Sequence, residues 1–451
     1  MKSIVIGAGP TGLGAAYRLH ELGQSDWQVF ERSPYVGGLS ASFVDDAGFT
    51  WDVGGHVLFS HYDYFDRVVE EALRGAYLQH MRESWVRILD TWVPYPFQNN
   101  IRHLPSTARD ECVDGLRSLP GQADMASNFK QWMDEVFGAG IVKYFMAPYN
   151  FKVWATPAEL MSKDWIAERV SVVDLDRIEQ NIAKGRDDLS WGPNNTFKFP
   201  RQGGTRAIFD GVADGLQGKV KNGHELVSLD VERKLLTFAN GVTQEYDTLV
   251  STMPVDQLVA CCGNGAPQHV REAATQLVHN SVYVVGLGFS GRRVDSKCWM
   301  YFPEDNCPFY RVTNFHNYSP FNVPNGEVDK YFSLMCEVSY SSYKPVQKET
   351  VVESTIQGLL NSGVIDQKDR ESIVSRYLLD VPYAYPVPTM GRDQALNEIN
   401  TWLESHSIFS RGRFGAWRYE VGNMDHSFMQ GVEVVDRILR DQSETTLRGC
   451  C

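Results

Sequence analysis

Apolar and polar positions change period several times along this chain, and each change marks an element. Lys2 to Ile6 is a short apolar, β-branched run, the composition of a buried strand. The glycines of Gly7-Ala-Gly9-Pro-Thr-Gly12 break it, and Leu13, Ala16, Tyr17 and Leu19 then fall at helical spacing up to Gly23. Strand, glycine turn and helix are expected in that order. Gln28 to Phe30 forms a second run closing on Glu31. An acid about twenty residues beyond such a turn has the spacing of a dinucleotide-binding βαβ unit.

Residues 61 to 190 read as mainly helical, with amphipathic stretches at Tyr64 to Leu73, Asn128 to Phe145 and Ala158 to Asn181. From Lys221 to Val250 the period drops to two, and Asn240-Gly241 between LLTF and VTQEY predicts a hairpin turn. Ser281 to Phe289 and Tyr331 to Tyr340 read as strands of a second, antiparallel sheet. Residues 407 to 441 predict a strand, a turn at Gly422-Asn423 and a helix from Phe428 to Leu439. With no repeat and no clear linker, the domains are expected to interleave. Residues 1–60, 200–265 and 405–445 would make a discontinuous nucleotide-binding domain, 61–199 a mainly helical substrate domain, and 266–404 an antiparallel sheet domain.

Composition narrows the function classes. At 451 residues, 43% hydrophobic and 22% charged, the chain is long enough for two or three domains and lacks the bias of a disordered or fibrous protein. A formal net charge of -13 excludes non-specific attraction to nucleic acid or an anionic membrane surface, so neither is an expected partner. An anionic ligand must therefore find local arginines. MKSIVIGAGP breaks at glycine too soon for a signal peptide, and no later run reaches about 18 apolar residues, which makes a cytoplasmic location the expectation. The eight cysteines form no CxxC pair and read as free thiols; Cys450-Cys451 lacks the C-a-a-X form of a prenylation signal. No metal-ligand spacing is present, so no metal is expected.

The glycines carry the first chemistry. Gly7, Gly9 and Gly12 permit a tight turn, close approach of a pyrophosphate and close helix packing, and Glu31 is placed to accept from a ribose hydroxyl. Arg32-Ser-Pro-Tyr-Val-Gly37-Gly38-Leu39-Ser40 follows at once. A second glycine pair just past the acid is common in FAD enzymes and uncommon in NAD dehydrogenases, and no second GxGxxG offers a separate nicotinamide domain. The expected fold class is therefore α/β: an FAD-binding Rossmann-like domain with an inserted helical domain and an antiparallel β-sheet domain.

Longer blocks carry a resemblance. DVGGHVLFSHYDYF, WVPYPFQNNI, PYNFKVWATP, WGPNNTFKFPRQGGT, YFPEDNCPFYR and SRGRFGAWRYEVGNMDHSFMQGVE resemble UDP-galactopyranose mutases of the eukaryotic-type branch, over Lys2 to about Leu439. The chain departs from longer members in a short Tyr318 to Tyr331 connection, almost no C-terminal extension, and Met424 where a glutamine is expected. The resemblance implies a flavin-dependent, redox-neutral isomerase that interconverts UDP-galactopyranose and UDP-galactofuranose through a reduced-flavin N5–sugar adduct and an iminium. NADPH or NADH is then the possible reductant, and a homo-oligomer a possible assembly. Two alternatives stay open: a mutase acting on another nucleotide sugar, and an FAD-dependent amine oxidase-like oxidoreductase.

The resemblance also assigns roles. Arg169 and Arg311 match the diphosphate arginines, planar cations suited to bidentate phosphate contacts, and with His56 form the catalytic set. Tyr301, Tyr385 and Tyr419 match diphosphate-contacting tyrosines; Tyr95, Gln98, Asn150 and Trp154 match uridine and sugar contacts; Trp299 and Asn194 match residues between sugar and flavin. Arg413, Gly422, Asn423, Met424 and Ser427 fall beside the flavin, as do Gly38, Leu39 and Ser40. Gly54-Gly55-His56 becomes the loop at the flavin N5 edge, with Phe59 packed nearby. Arg82 and Ser84 match contacts to a nicotinamide nucleotide.

Overall fold

The computed structural model describes residues 1–119, 126–166, 173–189 and 195–448. At its centre is a five-stranded, wholly parallel sheet in the order Ile408–Ser410, Thr248–Ser251, Ser3–Ile6, Trp27–Phe30, Val220–Lys221. Strands from three distant stretches of sequence thus share one sheet. Both its faces are covered: Ile4, Ile6 and Leu249 pack into one apolar cluster and Val5, Val29 and Val250 into another. The helix Pro10–Glu21 follows the first strand directly and packs on the last helix, Met424–Arg440. That contact is close enough for a Cβ on Gly14 to collide with the Phe428 carbonyl, and one on Gly431 to collide with the Thr11 carbonyl. The start of each helix is thereby fixed beside the other, at the carboxyl ends of the strands.

A second sheet has seven strands, in the order Ile373–Pro386, His279–Ser290, Tyr331–Tyr340, Arg311–Asn314, Trp299–Tyr301, Ser84–Ile88, Thr91–Pro94. Pairing is antiparallel throughout except between Trp299–Tyr301 and Ser84–Ile88, which run parallel. One row across three of these strands sets charged and phenolic side chains side by side: Tyr301 lies opposite Arg311, and Arg311 opposite Glu337.

Several expectations are corrected in detail. Residues 61 to 190 hold helices at Asp63–Leu73, Ser106–Arg117, Phe129–Ile141, Ala147–Trp154 and Leu175–Lys184, but strands Tyr77–Met81, Ser84–Ile88 and Thr91–Pro94 also run through them. Only Ser84–Ile88 alternates between buried and half-buried positions, and five residues are too few to stand out against longer helical stretches. The Asn128 to Phe145 stretch starts where expected, because the Asn128 side chain accepts from Gln131 N–H at 2.9 Å and caps the helix. It then passes through a π-turn, Val142–Met146, into the next helix. Ala158 to Asn181 is not one helix, since Ala158–Leu160 is a separate 3₁₀ turn. The last helix begins at Met424, four residues before its apolar period, since a first turn favours polar residues such as Asp425. The Asn240-Gly241 hairpin is found as expected, between strands Leu235–Phe238 and Thr243–Glu245.

Candidate active site

Between the two sheets lies a cavity of about 1250 Å³. Single-ligand pockets run to about 1,000 Å³, so there is room for a dinucleotide and a second ligand. One end is built by the first strand and the helix after it. Ile6, Gly7, Gly9, Pro10 and Thr11 line it, with Glu31, Gly38, Leu39 and Ser40 alongside. Gly12 sits beneath: a Cβ there would collide with the Gly7 carbonyl oxygen. A Cβ on Gly9 would stand 3.7 Å from the Gly38 Cα, so the two glycine loops nest against each other. Glu31 Oε2 accepts from Ala8 N–H at 2.7 Å and Oε1 from Ser33 N–H at 2.8 Å, which fixes the carboxylate and leaves each oxygen a second lone pair. A helix start, two side-chain-free loops and a fixed acid fit the dinucleotide of FAD.

The other end is aromatic and cationic. Trp299, Tyr301, Arg311, Tyr385 and Tyr419 line it with Arg82 and Arg413. Trp299 Nε1–H donates to the Tyr301 hydroxyl at 2.5 Å. The Tyr301 ring stands 5.0 Å from that of Tyr95 and 5.4 Å from that of Tyr149. Arg82 lies over the Tyr95 and Trp299 rings, at 5.4 and 5.1 Å, and donates from Nε to Ser84 Oγ. Arg413 lies 5.3 Å over Tyr385 and is held by the Gly422 and Ala384 carbonyls. Burial pushes the Tyr95 and Tyr385 phenols up from their ordinary values, so both keep their protons as donors.

Arg311 is held most firmly. Its Nε donates to Glu337 Oε1 and its Nη2 to Glu337 Oε2, each at 2.7 Å. Glu337 also accepts from the Tyr310 hydroxyl at 2.6 Å and from Gly55 N–H at 3.0 Å. Burial pushes the Glu337 carboxyl up, and the Arg311 guanidinium together with the Tyr310 hydroxyl and Gly55 N–H more than reverses this, leaving it below the usual carboxylate range. The carboxylate is therefore ionised, and Arg311 Nη1 makes no hydrogen bond among the described residues.

The Gly54-Gly55-His56 loop lies against this pair. Gly54 has φ +134°, and a Cβ on Gly55 would meet Thr313 Oγ1 at 2.8 Å, so neither position accepts a side chain without movement. His56 lines the cavity, and its Nδ1 is buried without a hydrogen-bond partner among the described residues. An orphan of that kind at the cavity wall suits a polar ligand atom. Burial, then the nearby Arg413, lowers the His56 imidazole to about 4, against some help from Glu337. It is neutral at physiological pH.

Gly422, Asn423, Met424 and Ser427 line the cavity at the start of the last helix, and Phe59 lines it as well. Gln98, Trp154 and Ser84 are buried outside the lining. Trp154 packs behind Tyr419, with ring centroids 4.8 Å apart. Asn150 turns back to its own helix, donating to the Met146 carbonyl at 2.7 Å. Arg169 and Asn194 lie outside the described residues. Sequence reading missed Glu337, Tyr310 and Tyr149. Glu337 carried a signal: one carboxylate in the apolar strand YFSLMCEVSY, which requires a buried cation partner.

Residues 10–430 match the family described as flavin-containing amine oxidoreductase. A solved structure of reduced UDP-galactopyranose mutase is 46% identical, superposes with a TM-score of 0.95, and is matched over 99% of this chain and 96% of its own. The chain belongs to the UDP-galactopyranose mutase family. Within the wider flavin fold, a putative protoporphyrinogen oxidase from an Exiguobacterium species has a TM-score of 0.74 at 14% identity, covering 98% of this chain and 99% of its own. A putrescine oxidase bound to putrescine has a TM-score of 0.64 at 16% identity, covering 97% and 98%. Those two share the fold alone. Members of the mutase family are FAD-dependent isomerases, and this cavity joins a glycine cradle at one end to an arginine–tyrosine wall at the other. Among the described residues no helix is long and apolar enough to cross a membrane.

Proposed function

We propose that this chain interconverts UDP-galactopyranose and UDP-galactofuranose as a redox-neutral, FAD-dependent mutase. The reading rests on Arg311: a cation tied to a buried carboxylate, at the wall of a cavity that also carries a dinucleotide cradle, in a chain 46% identical to a UDP-galactopyranose mutase. When bound, reduced FAD supplies nucleophilic chemistry at the anomeric carbon of the sugar. The chain does the rest. Arg311 Nη1 and the hydroxyls of Tyr301, Tyr385 and Tyr419 donate to a diphosphate that leaves and returns, with Arg169 as a second cation by sequence match. Neutral His56 offers a ring nitrogen beside the reacting centre without adding a charge that would compete for the diphosphate. Trp299, Tyr301 and Tyr95 give the uracil and sugar apolar faces and exclude water from a reactive intermediate, with Asn194 on the sugar side by sequence match and Gln98, Asn150 and Trp154, which stand outside the lining, supporting that wall.

Gly7, Gly9, Gly12, Glu31, Gly38, Leu39, Ser40, Gly54, Gly55, Arg413, Gly422, Asn423, Met424 and Ser427 complete the proposed flavin site. NADPH or NADH is the proposed reductant, received by Arg82 with Ser84 holding its guanidinium from behind the lining, and the cytoplasm the proposed location. Three interleaved domains are proposed: residues 1–60, 200–265 and 405–445 for the flavin, 61–199 and 266–404 for the substrate.

The test is to reduce the purified holoprotein, add UDP-galactofuranose and follow products by chromatography. UDP-galactopyranose is expected under reducing conditions, with no net oxygen consumption. Its absence, or substrate-dependent oxygen uptake with an amine, overturns the reading.

A further inference from the structure

Where the loop beyond His56 meets the last helix, three side chains with metal-binding atoms converge. His61 Nδ1 lies 2.8 Å from Asp425 Oδ2, and His426 Nδ1 lies 2.9 Å from Asp425 Oδ1. One donor atom from each of the three is within 4.8 Å of the others. The backbone N–H of His61 also reaches Asp425 Oδ2, at 3.2 Å, which anchors the loop on the same carboxylate. Sequence spacing gives no hint of this group, because His61 and Asp425 are 364 positions apart.

We propose that His61, Asp425 and His426 form a binding site for a divalent cation of the zinc class at the cavity wall, a function independent of the mutase reading. Two imidazole nitrogens and one carboxylate oxygen are borderline donors, matched to zinc and its neighbours and not to magnesium or calcium, which take oxygen ligands. Three protein ligands with a fourth position open is the donor count of a zinc site that keeps a water or ligand oxygen. Tetrahedral zinc with bonds of about 2.0–2.2 Å holds its donors roughly 3.3–3.5 Å apart. With the ion on Asp425 Oδ2, the His61 pair needs to spread by about half an ångström, while the His426 nitrogen, which now sits on Oδ1, and the His61–His426 pair are each adjusted from separations of at most 4.8 Å.

The parts that must stay still and the part that must move are separately placed. Asp425 is fully buried in the first turn of Met424–Arg440, where the positive end of the helix favours an ionised carboxylate. The His61 side chain is 42% exposed on the loop side and free to adjust. Both histidines line the cavity, so the fourth position opens toward bound ligands. An ion there would fasten the segment from Gly54 to His61 to the helix that begins beside the proposed flavin.

The experiment uses FAD-loaded protein stripped with a chelator and titrated calorimetrically with zinc chloride, and separately with magnesium chloride. One zinc per chain is expected, no heat from magnesium, and affinity weakened at least about tenfold in His61→Ala and in His426→Ala. Zinc K-edge absorption at one equivalent should show nitrogen and oxygen ligands only. Sulfur ligands would put the ion on cysteines and overturn the proposal, as would equal zinc binding by wild type and His61→Ala. His61 is exposed, so that variant decides the matter even if His426→Ala does not fold. These readouts do not depend on turnover, so failure of the mutase reading leaves them intact, and the reverse also holds.

Discussion

Glutamine at position 337 would keep the side-chain shape and remove the charge, which isolates what that carboxylate does. Glu337 is 3% exposed in its side chain and takes four donors on two oxygens: Arg311 Nε and Nη2 at 2.7 Å, the Tyr310 hydroxyl at 2.6 Å and Gly55 N–H at 3.0 Å. An amide leaves one acceptor oxygen, so its NH₂ must face donors that previously had a partner. Each buried donor left unsatisfied costs about 1–3 kcal/mol, and a buried charge deprived of its partner about 3–5 kcal/mol in all. Glu337→Gln should therefore lower the unfolding free energy of the holoenzyme by about 3 kcal/mol, read from urea midpoints at constant slope. The same change frees Arg311 to reorient and releases Gly55, so kcat/KM should fall about 100-fold, equivalent to about 2.7 kcal/mol of transition-state stabilisation. Unchanged kcat/KM with a stability loss under about 0.5 kcal/mol would refute the argument that this carboxylate sets the arginine.

Other expectations concern the same wall. Arg311→Ala should retain FAD by absorbance and lose turnover; a rate near wild type would remove Arg311 from the diphosphate site. Gly12→Ala should yield protein deficient in FAD, because its Cβ meets the Gly7 carbonyl, and normal flavin content would contradict the cradle. His56 is held at about 4 by burial, against an ordinary 6.5, so from pH 6.5 down to about 4 the unfolded chain binds a proton that the folded chain refuses. Stability from this group is then complete above pH 6.5 and falls by roughly 3 kcal/mol once pH drops below 4. Asp52, raised to about 7 by burial, acts in the opposite sense, so the check is the difference between wild type and His56→Gln. That difference should move against wild type between pH 7 and 4.5, and a constant difference would count against a neutral buried His56. Finally, structures of the oxidised and reduced holoenzyme should differ in the hydrogen bonds of Gly54-Gly55-His56; identical loops would end that claim.

What could be read from the sequence divides by the range of the interaction. The βαβ unit, the Asn240-Gly241 hairpin and the strands around Ser281 and Tyr331 depend on neighbours within a few positions, and periodicity reports those directly. The strands from Tyr77 to Pro94 were lost because four or five residues weigh little inside a long helical stretch, and their partners are distant in sequence: Tyr77–Met81 pairs with Thr196–Pro200 and Ser84–Ile88 with Trp299–Tyr301. Asn150 shows the limit of motif matching: its block is intact, yet its amide satisfies the Met146 carbonyl, so a matched residue need not present its polar atoms to a ligand.

Glu337 shows what motif matching leaves out of this wall. The blocks containing Gly55 and Arg311 each suggested a role, one beside the flavin and one at the diphosphate. Nothing in either block shows that both answer to one carboxylate on a third strand. The register puts Tyr301, Arg311 and Glu337 on one row across three strands, and the same Glu337 reaches out of that row to Gly55 N–H. A loop movement that withdraws Gly55 would strip one donor from an ionised, buried carboxylate and strengthen its remaining hold on Arg311. The Gly54-Gly55-His56 loop and Arg311 are then coupled through a shared acceptor, with no chain of intermediate residues required. That coupling also bears on Gly55 itself. Thr313 Oγ1 and Glu337 Oε1 occupy the space a Cβ would need, at 2.8 and 3.2 Å, so glycine is required there because the backbone must reach the carboxylate that orients the arginine.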